Sequence, residues 1–291
     1  MTDDLLDRLL DVRVRAPERI AEAATARTRP ADLTGQTGRL LLIAADHPAR
    51  GAMRAGERPM AMADRMDMLR RVVVALERPG VDGVLGTADV LEDLLLLGAL
   101  ESKVVIGSMN RGGLAGTSFE IDDRFTGYRS DRIRAMGWQG GKMLLRIDPE
   151  DPASAAALES CARVVDELAE RRLMAMVEPF IAHRVDGRVR NELTPEAVIR
   201  SSAVAAGLGS TSAYTWLKLP VVDEMETVLA ATNLPVLLLG GEVDADQEQQ
   251  LAQWRKALSA PSVRGMVVGR TLLYPPDDDV AAAVDATVGL M

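Results

Sequence analysis

No apolar run in this 291-residue sequence approaches the roughly 18 residues that a membrane-spanning helix needs. Cysteine is almost missing: the single Cys161 excludes an internal disulfide and fits a reducing compartment. The opening MTDDLLDRLLDVRVRAPERI is acidic and amphipathic, without the apolar centre of a secretory signal, so a cytoplasmic location is expected. Positive charge is in deficit. A net charge of −9 argues against nucleic acid, whose phosphate backbone recruits basic faces. It leaves room for a small phosphorylated ligand, which needs only local donors. Histidine is scarce as well. His47 and His183 are the only two, the second in a polar stretch read as a loop, and they do not supply a catalytic metal centre. Neither metal nor cofactor is expected. The scarcest charged residue is lysine, with four (Lys103, Lys142, Lys218, Lys256) against thirty arginines. A chain that uses arginine for surface charge keeps some lysines for another purpose, and only lysine can lose its proton and attack a carbonyl.

What is present is an alternation. Short apolar runs lie at 39–46, 82–86, 102–108, 141–148, 173–180, 214–220, 235–241 and 263–270. They are too short for helices and nearly continuously apolar, as strands covered on both faces must be. Segments with helical spacing separate them, at 60–78, 153–171, 194–206, 222–232 and 244–258. Thr194 before Pro195 and Asp244 at the head of 244–258 are helix-start signals. Alternating βα units give a parallel sheet, and eight of them predict an α/β fold, a (β/α)₈ TIM barrel. An open doubly wound sheet is the other arrangement. No G-x-G-x-x-G follows the first run and no P-loop lysine appears to favour it. Residues 1–36 read as an N-terminal helical extension and 37–291 as one barrel domain, without linkers. A homo-oligomer is the expected assembly.

Catalytic groups of such barrels come from the C-terminal ends of strands. Lys218 in YTWLKLPVV sits inside the sixth run between Leu217 and Leu219. Desolvation disfavours an ammonium, and a neutral amine is what Schiff-base formation requires. The alternative is a core lysine paired with a carboxylate. Lys142 in GGKMLLRID repeats the pattern, and strand alternation puts Lys142, Leu144, Arg146 and Asp148 on one face, as it does Tyr214, Trp216 and Lys218. Lys142 either sits near Lys218 as a second cation or pairs with Asp46 or Glu178, and such a pair would also position an acid–base group. Glu178 in MVEPF and Asp46 in IAADHPARG close their runs, as proton shuttles or as ion-pair partners of the lysines. Ser108 ends the third run and is a candidate substrate contact. Gly240 and Gly241 end the seventh run, and Gly269 and Arg270 the eighth, where a phosphate is often cradled by backbone amides and a helix N-terminus.

These residues carry a resemblance. The A-x-D-H at 44–47, the lysine in GGKMLLRI, the glutamate in VEPF, the lysine in WLKLPV and the closing GMVVGRTLL come in one order over about residues 39–275. The chain resembles the class I aldolase superfamily of DhnA-type fructose-bisphosphate, tagatose-bisphosphate and deoxyribose-phosphate aldolases. The resemblance implies Lys218 as the Schiff-base former, Lys142 and Glu178 as assisting groups, and Gly241, Gly269 and Arg270 at the phosphate. The archaeal branch carries aromatic residues at the end of strand four, where this chain has Arg146 and Asp148. The chain is also similar to aldolase-like proteins encoded with actinobacterial inositol-catabolism genes. That similarity implies 2-deoxy-5-keto-gluconate 6-phosphate, cleaved to dihydroxyacetone phosphate and malonate semialdehyde. Two other readings share the barrel: a transaldolase-like C–C synthase using the same lysine, and a non-catalytic sugar-phosphate sensor.

Overall fold

A computed structural model describes residues 2–34, 37–241 and 247–291, so the helix start expected at Asp244 lies outside the described residues. Two helices, α1 (Thr2–Arg15) and α2 (Arg19–Ala26), precede the first strand. Arg27 fastens them to the rest of the chain: its guanidinium donates to the carbonyls of Leu100 (3.0 Å), Lys103 (2.9 Å) and Gly137 (2.9 Å). The same group lies 5.1 Å from the ring centre of Trp138, a cation–π contact.

The strands are β1 (Leu40–Ala44), β2 (Gly83–Gly86), β3 (Val104–Ser108), β4 (Gly140–Ile147), β5 (Met174–Val185), β6 (Arg188–Asn191), β7 (Thr215–Leu219), β8 (Val236–Leu239) and β9 (Val263–Val268). Eight of them form a closed parallel barrel in the order β1-β2-β3-β4-β5-β7-β8-β9, with β9 returning to β1 through Leu40↔Gly265. This is the (β/α)₈ architecture. The helices between the strands are α3 (Arg65–Glu77), α4 (Ala88–Leu96), α5 (Ser130–Met136), α6 (Ala153–Glu170), α7 (Pro195–Ala206), α8 (Met225–Ala230) and α9 (Gln247–Leu258), then α10 (Arg270–Leu273) and α11 (Val280–Val288). Thr194 caps α7 by accepting from the Ala197 amide at 3.2 Å, a contact worth about 1 kcal/mol.

The eight apolar runs are strands because each strand is covered twice. One set of side chains, including Leu40, Leu42, Leu85, Ile106, Met176 and Leu237, fills the barrel, and Leu33 packs against it just ahead of β1. The alternate set, including Leu41, Ile43, Val105, Val177 and Leu238, meets the surrounding helices. Among the described residues no helix is long and apolar enough to cross a membrane.

Two expectations are corrected. The fifth run does not stop at Phe180: β5 continues to Val185 and turns back as β6, an antiparallel hairpin. Asp186 (φ 50°) and Gly187 (φ 75°) form its two-residue loop, the left-handed pair that a type I′ hairpin needs. His183 therefore lies in a strand rather than a loop, with Nε2 2.9 Å from Glu192.

Candidate active site

The strand ends open into a cavity of about 640 Å³. Alternation on β4 and β7 turns Lys142 and Lys218 into it, and β5, lying between those strands, brings Glu178. Lys218 Nζ lies 2.8 Å from Glu178 Oε1, and Lys142 bonds the other oxygen. Lys142 also approaches Asp46 Oδ2 at 3.7 Å. The two open readings of Lys142 thus coincide: it is near Lys218 and paired with both carboxylates. All four residues are buried.

Burial alone would raise the Glu178 carboxyl, but Lys142 and Lys218 override it and hold the group well below the usual carboxylate range. Burial pushes the Lys142 amine well down, with Lys218, Arg111 and Arg50 adding to the effect and Glu178 opposing it. His47, beside Asp46, also faces the cavity. Burial first, then Arg270, Lys218 and Lys142, drive its imidazole well below the ordinary range, so the ring is neutral at pH 7.

Asp46 has a partner that the sequence did not reveal. Arg111, from the long segment between β3 and α5, bonds both Asp46 and Ser108. Ser108, expected at the substrate, sits deeper: its hydroxyl donates to Asp46 Oδ2 at 3.0 Å, and it is absent from the cavity wall. Burial, against the pull of Asp123 and Glu178, brings Arg111 down to about 10. Asn110 fixes the same segment to β4, donating to the Leu144 carbonyl (2.5 Å) and accepting from the Leu144 amide (2.9 Å). Arg50 pairs with Asp123 at 2.5 Å, and Arg146 Nη1 with Glu120 Oε1 at 3.1 Å. Asp148, on the Arg146 face by alternation, is absent from the cavity wall. It accepts from the Glu150 amide at 3.0 Å in the turn leading to α6.

A family model matches residues 38–288 under the description Cgl0159-like. The chain belongs to the Cgl0159-like family. The crystal structure of Cgl0159 from Corynebacterium glutamicum is 50% identical, with 99% of this chain and 96% of that one covered and a TM-score of 0.96. An archaeal fructose 1,6-bisphosphate aldolase is 21% identical, with 93% and 98% covered and a TM-score of 0.65. A Schiff base-forming fructose-1,6-bisphosphate aldolase is 20% identical, with 93% and 99% covered and a TM-score of 0.63. At such identities the likeness to the two aldolases is one of fold. No curated protein matches the chain.

In this Cgl0159-like chain the expected phosphate residues do come together. Gly240, Gly241, Gly269 and Arg270 all line the cavity, on the β8–β9 side. Gly269 has no room for a side chain, since a Cβ would lie 2.6 Å from the Ala44 carbonyl and 2.7 Å from the His47 ring. Gly241 adopts a φ of 73°, the left-handed region that favours glycine. Arg270 gives one bond, Nη1 to the Arg54 carbonyl at 3.3 Å, and its buried Nε has no partner among the described residues. The expected helix N-terminus is slight here, because α10 has only four residues. Among the described residues the wall is cationic: eight lysines and arginines line the cavity against three carboxylates, in a protein of net charge −9.

Proposed function

We propose that this protein is a metal-independent class I aldolase whose Lys218 forms a Schiff base with a phosphorylated ketose or keto-sugar acid. The observation that carries this reading is the convergence of Lys142 and Lys218 on Glu178 inside a cationic cavity. Lys218, as the free amine, adds to the substrate carbonyl, and its proton passes to Glu178. Lys142, an ammonium made acidic by burial and by neighbouring cations, donates a proton to the carbinolamine hydroxyl, which leaves as water. Asp46 takes the proton of the substrate hydroxyl as the carbon–carbon bond breaks. The bonding pair moves toward the iminium nitrogen to give an enamine, and the aldehyde departs. Protonation of the enamine carbon and hydrolysis by water release the second product and restore Lys218. Gly240, Gly241, Gly269 and Arg270 hold the phosphate. The first substrate to assay is 2-deoxy-5-keto-gluconate 6-phosphate, cleaved to dihydroxyacetone phosphate and malonate semialdehyde.

The test is sodium borohydride reduction in the presence of dihydroxyacetone phosphate, read by intact mass and peptide mapping. One reduced adduct on Lys218, missing from the K218M and K218R variants, is expected, since a guanidinium cannot act as the amine. An adduct on Lys142, or none at all, overturns the assignment.

A further inference from the structure

Arginine neutralisation around the cavity is uneven. Arg50 and Arg111 are occupied by Asp123 and Asp46. Arg146 is only partly occupied. Its Nη1 goes to Glu120 at 3.1 Å and its Nε to the side-chain oxygen of Asn191 at 3.3 Å, whereas Nη2 has no partner among the described residues. These two contacts restrain the guanidinium of Arg146, which lies on the cavity wall, and leave its Nη2 unengaged. Above it, the β5–β6 hairpin contributes Arg188 and Arg190. Both line the cavity rim, both are exposed, and neither side chain has a hydrogen-bond or ion-pair partner among the described residues.

The barrel order fixes where this group lies. Arg146 lies near the end of β4 and the hairpin grows from β5, whereas Gly269 and Arg270 come after β9, three strands from β5 in one direction and four from β4 in the other. The Arg146 group and Arg270 lie on opposite sides of the mouth, with Lys218 on β7 between them along one side.

We propose that Arg146, flanked by Arg188 and Arg190, is a second anion-binding subsite, and that the substrate carries an anionic group at the end remote from the first phosphate. A restrained guanidinium with a free Nη2 donates charge-assisted hydrogen bonds to carboxylate and phosphate alike. Preset geometry limits the side-chain entropy lost on binding. The inference rests on reading the cavity as the substrate site of an aldolase, but it concerns binding rather than turnover.

The test is calorimetric titration of the full-length protein with three probes: hexyl phosphate, hexane-1,6-diol bisphosphate and 6-(phosphonooxy)hexanoate. The wild-type protein should bind the two doubly anionic probes about tenfold more tightly than hexyl phosphate. The better of the two identifies phosphate or carboxylate as the remote group. The double variant R146Q/E120Q removes both charges of the buried pair and leaves no orphaned carboxylate. The double variant R188A/R190A removes exposed side chains that hold nothing else in place. Each should lose most of the advantage while binding hexyl phosphate as before, with an unchanged melting temperature for R188A/R190A. Equal affinity of the wild type for all three probes, or retention of the full advantage by either variant, overturns the proposal. Borohydride trapping is read separately, so a protein that forms no imine can still pass this test, and one that forms it can still fail.

Discussion

Glu178 Oε1 lies 2.8 Å from Lys218 Nζ while its other oxygen is bonded to Lys142, so one buried carboxylate bridges the two lysines. Removing its charge takes from both buried lysines the carboxylate they share. Glu178→Gln should cost about 3–5 kcal/mol of stability, as breaking buried pairs does. It should also slow imine formation, because the proton route out of Lys218 is gone. Asp46→Asn should behave differently: borohydride still traps the adduct, but cleavage is lost. Trapping rate and cleavage rate measured side by side check the division of labour. Equal damage to both steps in the two variants would show that the carboxylates act as one unit.

Lys142 gives a pH signature. Its amine is lowered in the folded protein, whereas an unfolded lysine titrates at about 10.4. Between those two values the unfolded chain binds a proton that the native one does not. Stability therefore rises with pH across that interval and levels off above it. Thermal melts from neutral pH to pH 10.5 should show the wild type gaining on Lys142→Met as pH rises. A gap that stays constant or narrows contradicts the depressed amine.

The barrel and the lysine–glutamate centre were legible in the sequence because both derive from strand physics. A strand covered on both faces must be apolar throughout, so Lys142, Glu178 and Lys218 stood out as interruptions, and period-two alternation aimed them at one another. The hairpin was missed because Arg188–Asn191 is exposed and polar, although Asp186-Gly187 is a strong local hairpin signal. Arg111 and Glu120 could not be placed, since they sit on the β3–α5 segment. Its path is set by long-range contacts such as Asn110 to Leu144 and Arg50 to Asp123. His47 was visible in the A-x-D-H motif, but its neutral state follows from burial, reinforced by Arg270, Lys218 and Lys142 from other parts of the chain.

Metal independence is expected from how the cavity carboxylates are engaged. Asp46 is taken by Arg111, Ser108 and Lys142, and Glu178 by both lysines. Among the described residues no three His, Cys, Asp or Glu side chains gather in a way that could hold an ion. Cleavage should survive exhaustive EDTA treatment undiminished. Loss on chelation that a divalent ion restores would transfer the chemistry to a metal.

Arg270 supplies the clearest binding prediction, because its contact with a phosphate would be made in ground and transition states alike. Loss of such uniform binding raises KM and leaves kcat nearly unchanged. A charged hydrogen bond contributes about 1.5–3 kcal/mol, so Arg270→Ala should raise KM roughly tenfold to a hundredfold. The side chain is partly exposed, and solvent screening favours the lower end. Arg50 and Arg111 cannot take over its role, since Asp123 and Asp46 already occupy them. Unphosphorylated analogues should be poor substrates for the wild type and lose little more in the variant, whereas general damage to the site would hurt both kinds of substrate. An unchanged KM for the phosphorylated substrate would remove the phosphate from the β8–β9 side and leave the Arg146 side as the place to look for it.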